Sequence, residues 1–98
     1  MRLALIDDIE DELDQTTELL SSFANENHLN FIIDTFKSGE AFLSAFVPYT
    51  YDMVFMDIYM GNGMTGIETA CKMRETDNRS LLIFLTTSTD HMGDAFSV

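Results

Sequence analysis

Short apolar segments alternate along the chain with stretches in which apolar residues recur at helical spacing. Residues 3–6, 53–56 and 81–85 are continuous apolar runs, and a fourth segment begins at Phe31 and ends near Phe36. Runs of this length are typical of strands that are buried on both faces of a parallel sheet. The pattern therefore predicts four short strands.

Three helices are predicted between these strands, and a further helical stretch begins near Asp90. The first helix has an acidic first turn, which suits the positive end of the helix dipole. Ser38 is expected to cap the second helix and Pro48 to end it. The third helix should end at about Thr76. The side chains that define the three helices are Ile9, Leu13, Leu20 and Ala24, then Ala41, Phe42, Ala45 and Phe46, then Ile67, Ala70, Cys71 and Arg74.

Strands that alternate with helices predict βαβ units, and hence one α/β domain over residues 1–98 with a parallel sheet and helices on both faces. Ligands of such sheets bind at the carboxyl edge of the strands, at the topological switch point. The reactive side chains lie at that edge. Asp7 and Asp8 end the first strand, Asp57 ends the third, and Thr86 ends the fourth.

Three carboxylates at one sheet edge repel one another, so they either raise their pKa values or bind a cation. Mg²⁺ prefers oxygen ligands of this kind, so the predicted cofactor is Mg²⁺. An aspartate carboxylate is also a nucleophile toward phosphorus, and the Thr86 hydroxyl is placed to donate to a phosphoryl group. Asp7 and Asp8 would also suit a helix N-terminus, but this plainer interpretation loses force once Asp57 joins them at the same edge.

Composition narrows the classes of partner. The formal charge is −12, from 17 acidic and 5 basic side chains, which argues against binding to nucleic acid or an anionic membrane. The single cysteine, Cys71, excludes an internal disulfide, indicates a cytoplasmic protein and is interpreted as a buried core thiol. Residues 1–6 do not form a signal peptide, and no apolar run approaches membrane-spanning length.

Four segments, in this order and at this spacing, resemble the receiver domains of two-component response regulators. They are LIDD (5–8), MVFMDI (53–58), GIE (66–68) and IFLT (83–86). The residues around Asp57 and the ending LTTSTD (85–90) further resemble the subgroup that is joined to a LytTR-type DNA-binding domain. The resemblance implies a flavodoxin-like, doubly wound parallel sheet with strand order 2-1-3-4.

The resemblance also implies a role for each matching residue. Asp57 accepts a phosphoryl group from a sensor histidine kinase, and it is also a ligand of Mg²⁺. Asp8 is a direct ligand of the metal, and Asp7 helps directly or through water. Tyr59 offers its backbone carbonyl to the metal. Thr86 is the switch hydroxyl.

The chain departs from the family pattern at its C-terminal end. The fifth strand and fifth helix of a receiver are missing, and with them the lysine that faces the phosphoryl group. Lys37 lies at the end of the second strand, away from Asp57, and Lys72 belongs to a helix. We therefore expect a C-terminally truncated receiver, with Val98 as a fragment boundary. Its fourth strand should be an open edge through which two copies associate.

Three functions are consistent with the sequence. The first is a phosphoacceptor signalling module that is not an enzyme in the turnover sense. The second is a truncated receiver-like fragment that acts only in interaction or dimerisation, without phosphorylation. The third is a Mg²⁺-dependent phosphohydrolase with an aspartyl nucleophile. Tyr59 counts against the third, because it stands where a second aspartate is expected two residues after Asp57.

Overall fold

The computed structural model describes residues 1–61 and 63–86 and the backbone of residues 96 and 97. Five strands and three helices lie within these residues. In chain order they are β1 (Arg2–Ile6), α1 (Glu10–Glu26), β2 (Ile32–Phe36), α2 (Gly39–Ala45), β3 (Met53–Asp57), α3 (Gly66–Arg74), β4 (Leu81–Leu85) and β5 (Phe96–Ser97). The helical stretch predicted from Asp90 falls outside the described residues.

The first four strands form a parallel sheet in the order β2-β1-β3-β4, which confirms the predicted α/β fold and strand order. β1 and β3 are neighbours, and Ile6 is paired with Met56. β3 and β4 are neighbours in turn, and Asp57 is paired with Leu85. This register brings the residues that follow β1, β3 and β4 out at one edge of the sheet.

The free side of β4 differs from the sequence expectation. β5 pairs with it in the antiparallel direction, with Phe84 opposite Phe96 and Ile83 opposite Ser97. The parallel sheet has the four strands that the sequence predicts, but its fourth-strand edge is not fully open as expected, because this two-residue antiparallel strand pairs with it. Unpaired backbone groups at a sheet edge favour such an addition.

The main core lies between the sheet and helices α2 and α3. Alternate strand residues face it, and Phe42 of α2 and Met73 of α3 are fully buried against them. The strand side chains in this layer are Ala4, Ile6, Val54, Met56, Leu82 and Phe84. The opposite face is covered by α1 over β1, where Leu3 and Leu5 are buried, whereas Phe55 and Ile83 on β3 and β4 are half-buried.

Helix α3 presents a different face to the core than its apolar pattern predicts. Its buried residues are Gly66, Thr69, Ala70 and Met73. Ile67 and Cys71 are exposed, so the interpretation of Cys71 as a core thiol was wrong. The shift follows from close packing, since a Cβ on Gly66 would overlap the carbonyl oxygen of Asp57. Small residues let the helix approach β3, and this turns the larger side chains outward.

Capping residues fix where α2 and α3 begin. The Ser38 hydroxyl accepts a hydrogen bond from the Ala41 N–H at 3.0 Å, which confirms the predicted cap of α2. A capping box starts α3: the Thr65 hydroxyl accepts from the Glu68 N–H at 3.1 Å, and the Glu68 carboxylate accepts from the Thr65 N–H at 3.0 Å. No helix within residues 1–61 and 63–86 is both long enough and apolar enough to cross a membrane.

At the amino edge of the sheet, one buried aspartate ties two loops together. Asp77 is fully buried and accepts backbone hydrogen bonds from Tyr49 at 2.9 Å, Arg79 at 2.9 Å and Ser80 at 3.1 Å. Burial by itself would raise the pKa of Asp77, but these three N–H donors outweigh it and hold the pKa below its ordinary value.

We predict that Asp77→Ala destabilises the fold by about 3 kcal/mol, because three backbone N–H groups lose their acceptor and a buried position loses its side chain. Urea unfolding at neutral pH measures this difference. Asp11→Ala, at an exposed position on α1, is the matched control and should change the free energy of unfolding by less than about 0.5 kcal/mol. Equal effects of the two substitutions would contradict the assigned role of Asp77.

Candidate functional site

Two buried aspartates lie side by side at the carboxyl edge of the sheet. Asp57 ends β3 and is 1% exposed, and Asp7 directly follows β1 and is 7% exposed. Their proximity follows from the pairing of Ile6 with Met56, because the next residue on each strand leaves the sheet at the same level. The structure thus brings together two of the carboxylates that the sequence placed at this edge.

Glu12 is the third carboxylate of this site. Carboxylate oxygens of Asp7, Glu12 and Asp57 all lie within 4.8 Å of one another. Glu12 is half-buried in the first turn of α1, which follows β1 after a short loop. Because side chains of a helix tilt toward its N-terminus, this position directs the carboxylate back to the sheet edge.

Asp8 takes a more open position. It is exposed and is not part of the three-carboxylate group. A Cβ on Gly61, whose φ is +55°, would come within 3.1 Å of the Asp8 Oδ2 atom, so this carboxylate lies against the loop that follows β3. Its charge still raises the pKa of Asp57. The direct metal ligation predicted for Asp8 stays a prediction.

The loop after β3 is held from two sides. The Tyr59 N–H donates to the Asp57 Oδ1 atom at 3.3 Å. Farther along, the Met64 N–H donates to the Glu40 Oε2 atom at 3.1 Å, and Gly63 at φ +106° passes so close to this carboxylate that a Cβ there would collide with it. Glycine is required there by both conformation and space. Metal ligation by the Tyr59 carbonyl stays a prediction.

Burial and like charge both act on the two aspartates. Burial raises the pKa of Asp7 to about 7; the Ile9 N–H opposes the rise, and the charges of Asp57 and Glu12 add to it. Burial likewise raises the pKa of Asp57 to about 6; the Tyr59 N–H opposes this rise, and the charges of Asp8 and Glu12 add to it. The site thus concentrates negative charge that its own hydrogen bonds do not offset.

Three buried oxygen atoms at this edge have no hydrogen-bond partner among the described residues. They are the Asp57 Oδ2, Glu12 Oε2 and Thr86 Oγ1 atoms. Thr86 comes directly after β4, whose last residue, Leu85, is paired with Asp57. The two carboxylate oxygens fit a hard divalent cation, which prefers such ligands. The threonine hydroxyl can donate to an anion at the same edge, as its predicted role requires.

The two lysines of the chain make other contacts. Lys37 Nζ lies 3.4 Å from the Glu10 carboxylate, and Lys72 Nζ lies 3.8 Å from the Glu75 carboxylate on its own helix. All four side chains are largely exposed, so these pairs contribute little to stability. The absence of a lysine at Asp57, expected from the sequence, thus holds for residues 1–61 and 63–86.

Sequence analysis missed Glu12, which it counted only as part of the acidic first turn of the first helix. A signal was present, because Glu12 lies on the same helix face as Thr16, four residues later, which borders a small cavity together with Asp7. The run of acidic residues at 10–12 masked that signal, since any of them suits an exposed first turn.

A parallel sheet with buried aspartates at its carboxyl edge defines a doubly wound α/β domain, and comparisons with known proteins identify its family. A family model described as "Response regulator receiver domain" matches residues 3–97. The structure is similar to response regulator TrrA from Thermotoga maritima in complex with Mg²⁺–BeF, at 31% identity and TM-score 0.63, covering 95% of this chain and 75% of that one. No curated protein matches the chain.

Two further solved structures share the fold. The non-phosphorylated HemR receiver domain from Leptospira biflexa is 20% identical with TM-score 0.74, covering 89% of this chain and 64% of that one. The N-terminal domain of a response regulator/sensory box/GGDEF protein from Carboxydothermus hydrogenoformans is 22% identical with TM-score 0.71, covering 91% and 66%. The chain thus spans about two thirds of the length of these two. It belongs to the response regulator receiver domain family.

The raised pKa of Asp57 predicts a pH dependence of stability in the absence of divalent cations. An acid whose pKa is higher in the folded than in the unfolded protein stabilises the fold below its unfolded value, here 3.8, and loses this contribution as pH rises through about 6. The loss should be about 3 kcal/mol, since each pKa unit is worth about 1.4 kcal/mol. Urea unfolding from pH 4 to 7 measures it.

Asp57→Asn should make that decline shallower without abolishing it, because the amide carries no charge to bury whereas the raised pKa of Asp7 still contributes. Asp11→Asn, on the exposed face of α1, is the control and should decline with pH as the unsubstituted chain does. If Asp57→Asn and the unsubstituted chain lose stability in parallel, Asp57 is not the group that destabilises the fold at neutral pH.

Proposed function

We propose that the chain is a phosphoacceptor signalling module, in which Asp57 receives a phosphoryl group from a sensor histidine kinase in the presence of Mg²⁺. The observation that carries the proposal is the Asp57 Oδ2 atom, which is buried beside two other carboxylates and has no partner among the described residues. This oxygen would attack phosphorus, and the bond from phosphorus to the donor's imidazole nitrogen would break. The products are an aspartyl phosphate and a free histidine.

The other predicted site residues would bind the metal ion and the phosphoryl group. Asp7 and Asp8, with Asp57 and the Tyr59 carbonyl, would hold Mg²⁺, which offsets negative charge at the acceptor. The Thr86 hydroxyl would donate to the phosphoryl oxygens. Support comes from the buried, uncompensated oxygens of Asp57 and Thr86. It also comes from the similarity to TrrA, whose structure holds Mg²⁺–BeF.

In this proposal the chain is a switch and not an enzyme with turnover. Its output would depend on a longer protein, since the chain spans about two thirds of several receiver-containing chains. The residues around Asp57 favour a LytTR-type DNA-binding partner domain, whereas the net charge of −12 argues against nucleic-acid binding by this segment itself. We place the protein in the cytoplasm, where histidine kinases present their phosphohistidine.

A second candidate function is an interaction module that is never phosphorylated. Lys37 and Lys72 favour it, because neither reaches Asp57 and no other cation among residues 1–61 and 63–86 is paired with the Asp57 carboxylate. Association would use the β4 edge, as predicted from the sequence, or the half-buried face that carries Phe55 and Ile83. This candidate predicts a stable homodimer whose Asp57 does not react.

Incubation with Mg²⁺ and a small acyl phosphate tests the proposal. Intact-mass spectrometry should show one added phosphoryl group on the unsubstituted chain and none on Asp57→Asn. Removing Mg²⁺ with a chelator should abolish the added mass. Asp52→Asn, at an exposed position just before β3, is the matched control and should be modified to the same extent as the unsubstituted chain.

Two results would contradict phosphorylation at Asp57. One is an added mass that persists in Asp57→Asn, which would place the acceptor elsewhere. The other is the absence of any added mass on the unsubstituted chain under conditions that modify a known receiver. A dimer in light scattering together with that second result would favour the interaction module.

A further inference from the structure

We infer that Glu12 is a cation ligand of this chain and completes its metal site together with Asp7 and Asp57. The inference deepens the proposed function, since the cation is the one that would assist phosphorylation of Asp57. It changes the expected ligand set, in which Asp8 and not Glu12 was a direct ligand.

Geometry is the first argument. The oxygens of Glu12, Asp7 and Asp57 lie within 4.8 Å of one another, so small side-chain movements would bring all three to one divalent cation. Asp8 stands apart, exposed and against Gly61. The Asp57 carboxylate is 1% exposed and its Oδ2 atom lacks a partner among the described residues, so an unsatisfied buried acceptor faces the same cluster.

The start of α1 supplies an independent argument. Ile9 is the N-cap residue and has no side-chain cap, so Glu12 is the third residue of the helix. A glutamate at this position ordinarily accepts a hydrogen bond from the N-cap N–H. Here that N–H donates to the Asp7 Oδ1 atom at 2.9 Å. The usual partner of Glu12 is thus taken, and its Oε2 atom is buried without one.

A buried carboxylate oxygen with no donor is costly, and it stays in a fold only when something compensates it. No lysine or arginine is paired with Glu12 within residues 1–61 and 63–86. A divalent cation at the three carboxylates would compensate Glu12 and Asp57 together. Burying the charged Glu12 without the ion costs free energy. Binding of the ion relieves this cost, so the relief adds to the affinity for the ion.

Calorimetric titration of Mg²⁺ into the whole chain, without any phosphoryl donor, tests the inference. Glu12→Gln keeps the size of the side chain and removes its charge. It should weaken Mg²⁺ binding about 10-fold or more, which is the effect expected when a metal site loses a supporting group. Glu18→Gln makes the same charge change at an exposed position of the same helix. Glu18→Gln should alter the Mg²⁺ affinity less than about 2-fold, because solvent screens the charge of Glu18.

A second measurement on the unsubstituted chain serves if Glu12→Gln does not fold. Substoichiometric Mn²⁺ should broaden the carboxylate carbon resonance of Glu12 along with those of Asp7 and Asp57, and should leave that of Glu18 sharp. A sharp Glu12 resonance beside broadened aspartates would overturn the inference.

The outcomes separate this inference from the proposed function. Equal Mg²⁺ affinity of Glu12→Gln and the unsubstituted chain overturns the role of Glu12 and leaves phosphorylation of Asp57 intact. Equal weakening by Glu12→Gln and Glu18→Gln also overturns it, because the effect is then one of net charge. Binding that depends on Glu12, in a chain that acquires no phosphoryl mass, supports the metal site and contradicts phosphorylation.

Discussion

The burial of Asp57 with too few hydrogen-bond donors is the constraint around which the carboxyl edge of this domain is built. The backbone of Asp57 lies at the end of β3, against the first residue of α3. Only a glycine, Gly66, fits at that position of the helix. Among the donors found for the Asp57 side chain is the N–H of Tyr59, and its second oxygen has no partner within the described chain. Burial keeps the carboxylate away from water and raises its pKa, and the charges of Asp8 and Glu12 add to the rise.

Asp77 shows that burial alone does not decide this behaviour. It is as buried as Asp57, yet three backbone N–H groups surround it and its pKa is lowered, whereas the pKa of Asp57 is raised. Asp34, in the middle of β2, is also satisfied, since it accepts from the Tyr51 hydroxyl at 2.8 Å and from Arg2 Nε at 3.0 Å. The fold compensates the carboxylates of Asp77 and Asp34 and leaves those at the carboxyl edge under-compensated.

Under the proposed function, this asymmetry explains why the reaction would take place at the carboxyl edge. A carboxylate held by several donors is a stable structural acceptor, and a cation adds little to it. A carboxylate that lacks donors gains most when a cation or a bond to phosphorus removes its charge. The raised pKa values of Asp7 and Asp57 therefore indicate a cation or a phosphoryl group as ligand. The family relationship indicates the same ligands.

Strand positions and the pair Asp7 and Asp57 could be predicted from the sequence, because apolar runs that end in acids fix both the strands and their carboxyl edge. The strand order was implied by the resemblance to receiver domains. The buried face of α3 could not be predicted, since close packing at Gly66 overrides the apolar pattern around Ile67 and Cys71. Glu12 was missed for a different reason. The Ile9 N–H donates to Asp7 and so is not available to Glu12. The order of apolar and polar residues along the chain does not indicate which of the two carboxylates accepts from it.

The central claim is that the carboxylates at the carboxyl edge form one cation site around Asp57. A crystal structure of the chain with Mn²⁺, using anomalous scattering to locate the ion, tests it most directly. We expect an anomalous peak within bonding distance of oxygens from both Asp7 and Asp57. A Mn²⁺ ion bound elsewhere on the acidic surface, with this cluster unliganded in the same crystal, would contradict the account.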